Sequence, residues 1–255
     1  MGENRVYRST EPFSFKGLGS KSQIALLMVH GFTGSPSEFR RVGYFLHDQG
    51  YTVQAVRLPG HGTSPEEMRR TEWTDWYGHV RDQYDELAAV CKNIVVIGHS
   101  MGGLLTFMLA AERRPAGIIS LAAPIYLATR HASWAVLLQY MLHYVEKKSK
   151  NIPTLLNESC AYTKTPIRSV VSLLRLIKRV RKLLPKIAAP VWIGQGNQDA
   201  VVRHHSAEFL YQKVGSSVKE LHYYPRSSHG MLLDLEREQI YEDITSFIES
   251  LQFEQ

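Results

Sequence analysis

VVIGHSMGGLL, residues 95–105, runs from three β-branched residues through Gly98-His99-Ser100-Met101-Gly102-Gly103 into two leucines. An apolar run that breaks at small residues and resumes as a second apolar run reads as a buried strand turning into a helix. A serine at such a turn is held in a strained backbone conformation, with its side chain presented at the strand end. Glycines on either side let the turn tighten and the helix come close. The helix N-terminus beneath the serine also favours negative charge. A glycine-rich turn with an incidental serine would explain the composition but not the flanking strand and helix.

Outward from this turn the chain alternates short apolar runs with helical patterns. Residues 24–29 (IALLMV) form a continuous apolar run, the mark of a strand covered on both faces. A helix is predicted over 36–48, opening at Pro36 and stopping at Gly50. Residues 51–56 read as a strand, 72–91 as a long amphipathic helix, 94–97 as a strand and 101–113 as a helix. Further strands are predicted over 117–121, 190–195 and 218–223, and a closing helix over 234–251. Strands spaced by helices imply βαβ units, hence an α/β fold with a mostly parallel sheet and helices on both faces. Residues 124–185 break the rhythm, with helical patterns and no convincing strand. They are read as a helical cap inserted into a core formed by 1–123 and 186–255.

A serine hydroxyl needs a base, and the base needs an orienting group. In a fold of this kind the chain order is Ser, then Asp or Glu, then His, each after a strand. Asp199 follows the strand 190–195, and His229 follows the strand 218–223. Both therefore fall at strand carboxyl ends, the edge where open α/β sheets bind ligands. Asp199 could instead cap the next helix, and His229 could be a plain loop histidine. Their joint order and placement favour catalytic roles. His30 and His99 read as held by neighbouring structural glycines, His204 and His205 as residues of a helix face, and Asp234 as the N-terminal charge of the last helix. The oxyanion of an acyl-transfer intermediate needs two backbone N–H donors. Met101, after the nucleophile, is one candidate, and Phe32, in the loop His30-Gly31-Phe32-Thr33-Gly34, is the other.

Five segments resemble the α/β-hydrolases, and within them the small bacterial carboxylesterases related to bacterial monoacylglycerol lipase. They are LMVHGFTGSPSEF (27–39), RLPGHGTSPEEM (57–68), GHSMGG (98–103), QGNQDAVV (195–202) and SSHGMLLD (227–234). The resemblance spans nearly the whole chain. It implies a sheet of about eight strands, catalytic roles for Ser100, Asp199 and His229, and oxyanion roles for Phe32 and Met101. Ser228 departs from the pattern, standing where many relatives have glycine. A serine nucleophile sets the chain apart from relatives that use aspartate there.

Composition narrows the remaining classes. The chain has 255 residues, 44% hydrophobic and 21% charged, which fits a globular domain. Two cysteines are too few for a disulfide framework and read as reduced thiols. Residues 1–6 lack the apolar core of a secretory signal. A cytoplasmic protein is expected. The net charge of +6 invites a nucleic-acid reading. No zinc-finger spacing or RNP-like pattern accompanies it, and much of the excess lies in residues 168–184, so no nucleic-acid partner is expected. That segment reads as an amphipathic helix with a solvated basic face, of a type that can also touch an anionic membrane weakly. Phe32, Ile125, Trp134 and Leu138 are expected to line an acyl pocket, although the apolar cap residues would serve equally well to pack the cap onto the core.

The function read from these features is hydrolysis of carboxylic esters of short to medium acyl chain through an acyl-enzyme on Ser100. The protein is expected to be a monomer acting on a small-molecule ester, with no metal or organic cofactor. The alternatives are a monoacylglycerol lipase, then a thioesterase, then a non-catalytic receptor of the same fold.

Overall fold

The computed structural model describes residues 5–129, 135–139, 142–146 and 158–253. Among the described residues seven strands form one sheet, in the order β1-β3-β2-β4-β5-β8-β9. They are β1 (Phe13–Phe15), β2 (Ile24–Val29), β3 (Thr52–Val56), β4 (Asn93–His99), β5 (Gly117–Leu121), β8 (Val191–Gly196) and β9 (Lys219–Tyr224). All neighbouring pairs are parallel except β1 with β3. The expected α/β fold is therefore present, with one sheet strand fewer than eight. β1 went unread because three residues at an edge are too few to display a period.

Alternation along the central strands explains the layers. Ala25, Leu27, Val29, Ile94 and Val96 belong to one buried cluster, and Leu26, Met28, Val95 and Ile97 to the other. Successive side chains on a strand point to opposite faces, so apolar runs such as IALLMV feed both clusters at once. Helices α2 (Pro65–Met68), α3 (Trp73–Ala88), α4 (Met101–Glu112) and α7 (His205–Lys213) supply the first cluster, and α1 (Arg40–Asp48) and α8 (Arg237–Ser250) the second. The helix expected over 36–48 is two pieces, a 3-10 turn at Pro36–Phe39 and then α1. The last helix starts at Arg237 rather than at Asp234.

Between β5 and β8 lie α5 (Ala135–Leu138), the short antiparallel pair β6 (Tyr144–Glu146) and β7 (Lys164–Pro166), and α6 (Ile167–Leu183). The pair corrects the expectation of no strand in this segment, and three residues again set the limit of detection. α6 buries Leu173, Leu176, Ile177 and Val180 in the same cluster as α3 and α4, while Arg175, Lys178, Arg179 and Lys182 face solvent. Among the described residues no helix is long and apolar enough to cross a membrane. The far end of the segment is tied to the loops after β2 and β3. Tyr162 N–H donates to Thr33 O at 3.1 Å, and its hydroxyl donates to Gly60 O at 2.8 Å. Arg41 grips Glu158 through two 2.7 Å bonds.

The contact between β2 and α4 sets the elbow. A Cβ on Gly102 would fall on the carbonyl oxygens of Val29 and His30. Gly102→Ala therefore forces the two elements apart, and a loss of about 3 kcal/mol is expected, read as a lower urea midpoint at unchanged m-value.

Candidate active site

Parallel pairing brings the carboxyl ends of β2, β4, β8 and β9 to one edge of the sheet. Each end supplies one part of the site. At the end of β4, Ser100 has φ 54° and ψ −119°, a conformation that L-residues rarely adopt. Its N–H donates to Leu121 O at 2.7 Å, which fixes the strained residue against β5. Its side chain is buried at the start of α4.

His229, after β9, accepts the Ser100 hydroxyl at Nε2 over 3.0 Å and donates from Nδ1 to Asp199 Oδ2 over 2.8 Å. Three residues from separate loops thus form one hydrogen-bonded chain. The Asp199 side chain is fully buried, whereas that of His229 is 23% exposed. Asp199 Oδ1 accepts from the N–H groups of Val201 at 2.8 Å and Val202 at 2.9 Å, and Oδ2 accepts also from Gln195 Nε2 at 3.0 Å. Burial pushes this carboxyl up, but His229 and the two backbone donors outweigh it and hold it below its ordinary value. The carboxylate is therefore ionised and can fix the ring with its proton on Nδ1, leaving Nε2 free to take one.

The loop after β2 closes the other side. Gly34 N–H donates to Gly31 O at 3.1 Å, with Thr33 at φ 64° inside the turn. A Cβ on Gly31 would lie 3.2 Å from Ser100 Cβ, so this turn abuts the nucleophile. Phe32 lies within the turn, and Met101 opens α4. The Phe32 ring packs edge-on against Trp76 and His61, at 6.0 and 6.4 Å. Ile125 is buried in the main cluster, and its carbonyl accepts from Arg181 at 2.7 Å. Leu138 on α5 is partly exposed. Trp134 lies outside the described residues.

Several supporting residues were not legible in the chain. Asp234, read as the opening charge of the last helix, instead accepts from Ser228 N–H at 2.7 Å and so braces the histidine loop. Glu236 accepts from Arg226 N–H and the Ser227 hydroxyl, each at 2.8 Å. Gln195 opens the acid segment, but its amide carries no signal separable from that of an ordinary strand residue. His30 and His99 each have a partner at both ring nitrogens. His30 donates from Nδ1 to Gly31 O and accepts Leu58 N–H at Nε2, while His99 bridges Glu38 and the carbonyl of His229.

A family model for Hydrolase_4, described as serine aminopeptidase, S33, matches residues 20–236. The chain belongs to the Hydrolase_4 family. Proteins with similar sequences include a carboxylesterase of Bacillus subtilis (strain 168), 32% identical over 94% of this chain and 97% of the relative. A thermostable monoacylglycerol lipase of Bacillus sp. (strain H-257) is 34% identical over 95% of both chains. A solved structure from work on LipS and LipT, two metagenome-derived lipolytic enzymes, superposes with a TM-score of 0.86 at 30% identity, covering 94% of this chain and 98% of that one. As a Hydrolase_4 member this protein is a serine hydrolase.

Proposed function

We propose that the protein is a serine carboxylesterase, with Ser100 as nucleophile, His229 as general base and acid, and Asp199 as the group that orients it. The hydrogen-bonded chain from Ser100 through His229 to Asp199 carries this reading. Ser100 Oγ attacks the ester carbonyl as His229 Nε2 takes its proton. The N–H groups of Phe32 and Met101 hold the oxyanion. His229 returns the proton to the departing alkoxide, leaving an acyl group on Ser100. A water that gives its proton to His229 then attacks the acyl carbon, and Ser100 leaves with that proton as the acid is released. Substrate and water supply every atom, and Ser100, His229 and the two backbone donors fill the nucleophile, base and oxyanion roles, so this mechanism calls on no metal or organic cofactor.

The similarity to a carboxylesterase and a monoacylglycerol lipase over most of the chain supports ester chemistry. The family description also names a peptidase, and an aminopeptidase needs a carboxylate for the substrate ammonium. The buried carboxylates of Asp199 and Glu38 are each bonded to a histidine instead, and that of Asp234 accepts the N–H groups of Ser228 and Leu235, so all three are already engaged. Residues 124–185 serve in this reading as a cap standing on α6, with Phe32, Ile125 and Leu138 toward the acyl chain. The protein acts as a cytoplasmic monomer on a small ester, without nucleic acid, and the solvated basic face of α6 gives it at most a weak hold on an anionic membrane.

Hydrolysis of p-nitrophenyl esters from acetate to palmitate, beside monolauroylglycerol, tests the substrate class. Rates that peak at short or medium acyl chains and exceed that on the glycerol ester are expected. Preferential turnover of monolauroylglycerol would make the protein a monoacylglycerol lipase.

A further inference from the structure

Glu38 and His99 take no part in the proposed chemistry, yet they join the two loops that serve it. Glu38 lies in the 3-10 turn after the oxyanion loop, and His99 is the last residue of β4. Glu38 Oε2 accepts the N–H of Gly31 at 3.0 Å and lies 2.8 Å from His99 Nδ1. The other ring nitrogen, Nε2, lies 2.7 Å from the main-chain oxygen of His229. Both side chains are largely buried, at 13% and 8% exposed. The position is prepared for the carboxylate, because a Cβ on Gly34 would fall on Glu38 Oε1.

The partners of His99 decide its protonation. A carbonyl oxygen has no proton to give, so Nε2 must carry one. Glu38 Oε2 already accepts the Gly31 N–H, which favours the ionised carboxylate, so Nδ1 must carry one too. With a proton on each nitrogen the ring is an imidazolium, and the carboxylate balances its charge. We propose that Glu38 and His99 are a buried charged pair of positioning residues, which locks the backbone of the catalytic histidine to the oxyanion turn. The pair rests on the reading of Ser100, His229 and Asp199 as the catalytic residues.

Charges around the pair agree with this state. Burial pushes Glu38 up, but His99, His30 and the Gly31 N–H outweigh it and bring it down to about 2. Burial pushes His99 down, but Glu38, the His229 carbonyl and Asp199 outweigh it and raise it above its ordinary value. A second consequence concerns the reaction. The rings of His99 and His229 lie 5.1 Å apart between centroids. When His229 takes the serine proton, two imidazolium rings become neighbours. Glu38 offsets the charge of the first, so that the second can form. The lock also fixes where His229 Nε2 stands relative to the oxyanion donors. A displacement there acts on the transition state more than on substrate binding.

The first test uses the wild-type protein with ring-labelled histidine. Nitrogen-15 NMR at neutral pH should show two N–H protons on His99, assigned in the wild-type protein by through-bond correlation of the ring to the His99 backbone. A single N–H on His99, as a neutral pair with the proton on Glu38 would give, overturns the proposal, and this reading does not depend on any variant folding. The second test is Glu38→Gln. Its kcat should fall roughly 10- to 100-fold with KM little changed, and the second His99 N–H should disappear. Unchanged kcat, or a loss carried by KM alone, overturns the positioning role. Ser100→Ala separates the two readings. If that variant stays fully active, the catalytic assignment is wrong. If it is inactive while His99 shows one N–H, only the positioning pair is wrong.

Discussion

Ser100→Ala should lower kcat on a p-nitrophenyl ester by roughly 10⁴-fold or more, with the melting temperature nearly unchanged. The hydroxyl has His229 Nε2 as its partner, and His229 keeps its bond to Asp199 when that hydroxyl is gone. The strained backbone at this position is held by Ser100 N–H on Leu121 O, a bond that alanine retains. Alanine is also smaller than serine, so the tight approach of Gly31 survives. The loss should therefore fall on chemistry and not on folding. What remains should be the catalysis that substrate binding and the oxyanion donors provide alone. Steady-state kinetics and a thermal melt of the purified variant check both halves.

Asp199→Asn should be nearly as severe, at roughly 10⁴-fold in kcat, although the change is only one atom. The N–H groups of Val201 and Val202 both donate to Oδ1, so the amide must keep its oxygen there. Its NH₂ then occupies the place of Oδ2, facing His229 Nδ1 and the Gln195 amide donor. An NH₂ donates, so Nδ1 must give up its proton and accept. The ring proton moves to Nε2, where it points at Ser100 and blocks the general base. Gln195 meanwhile faces a second donor, an added local cost. The variant should stay folded, since both backbone bonds to Oδ1 persist. Kinetics beside a circular-dichroism melt test this, and a loss below about tenfold would show that the ring does not depend on this carboxylate for its tautomer.

The central strands, the elbow and the positions of Ser100, Asp199 and His229 were legible because each carries a local signal. Residues 24–29 and 94–97 are apolar throughout, and the elbow couples three glycines to one serine. Features that depend on a neighbour in space were not legible. Glu38 looks like an acid in a helix start, and His99 like a residue trapped between glycines. They meet because β2 and β4 pair side by side, with Val29 opposite Gly98. Asp234 looked like a helix charge for the same reason, since only the fold of the histidine loop brings Ser228 N–H to it. The strands β1, β6 and β7 escaped for a different reason, as three residues each cannot establish a period.

The most direct measurement is to treat the wild-type protein with a fluorophosphonate and locate the adduct by peptide mass spectrometry. A single adduct on Ser100, absent from Ser100→Ala, is the expected result. An adduct on another residue, or none in a preparation that hydrolyses esters, would contradict the assignment of Ser100 as the nucleophile.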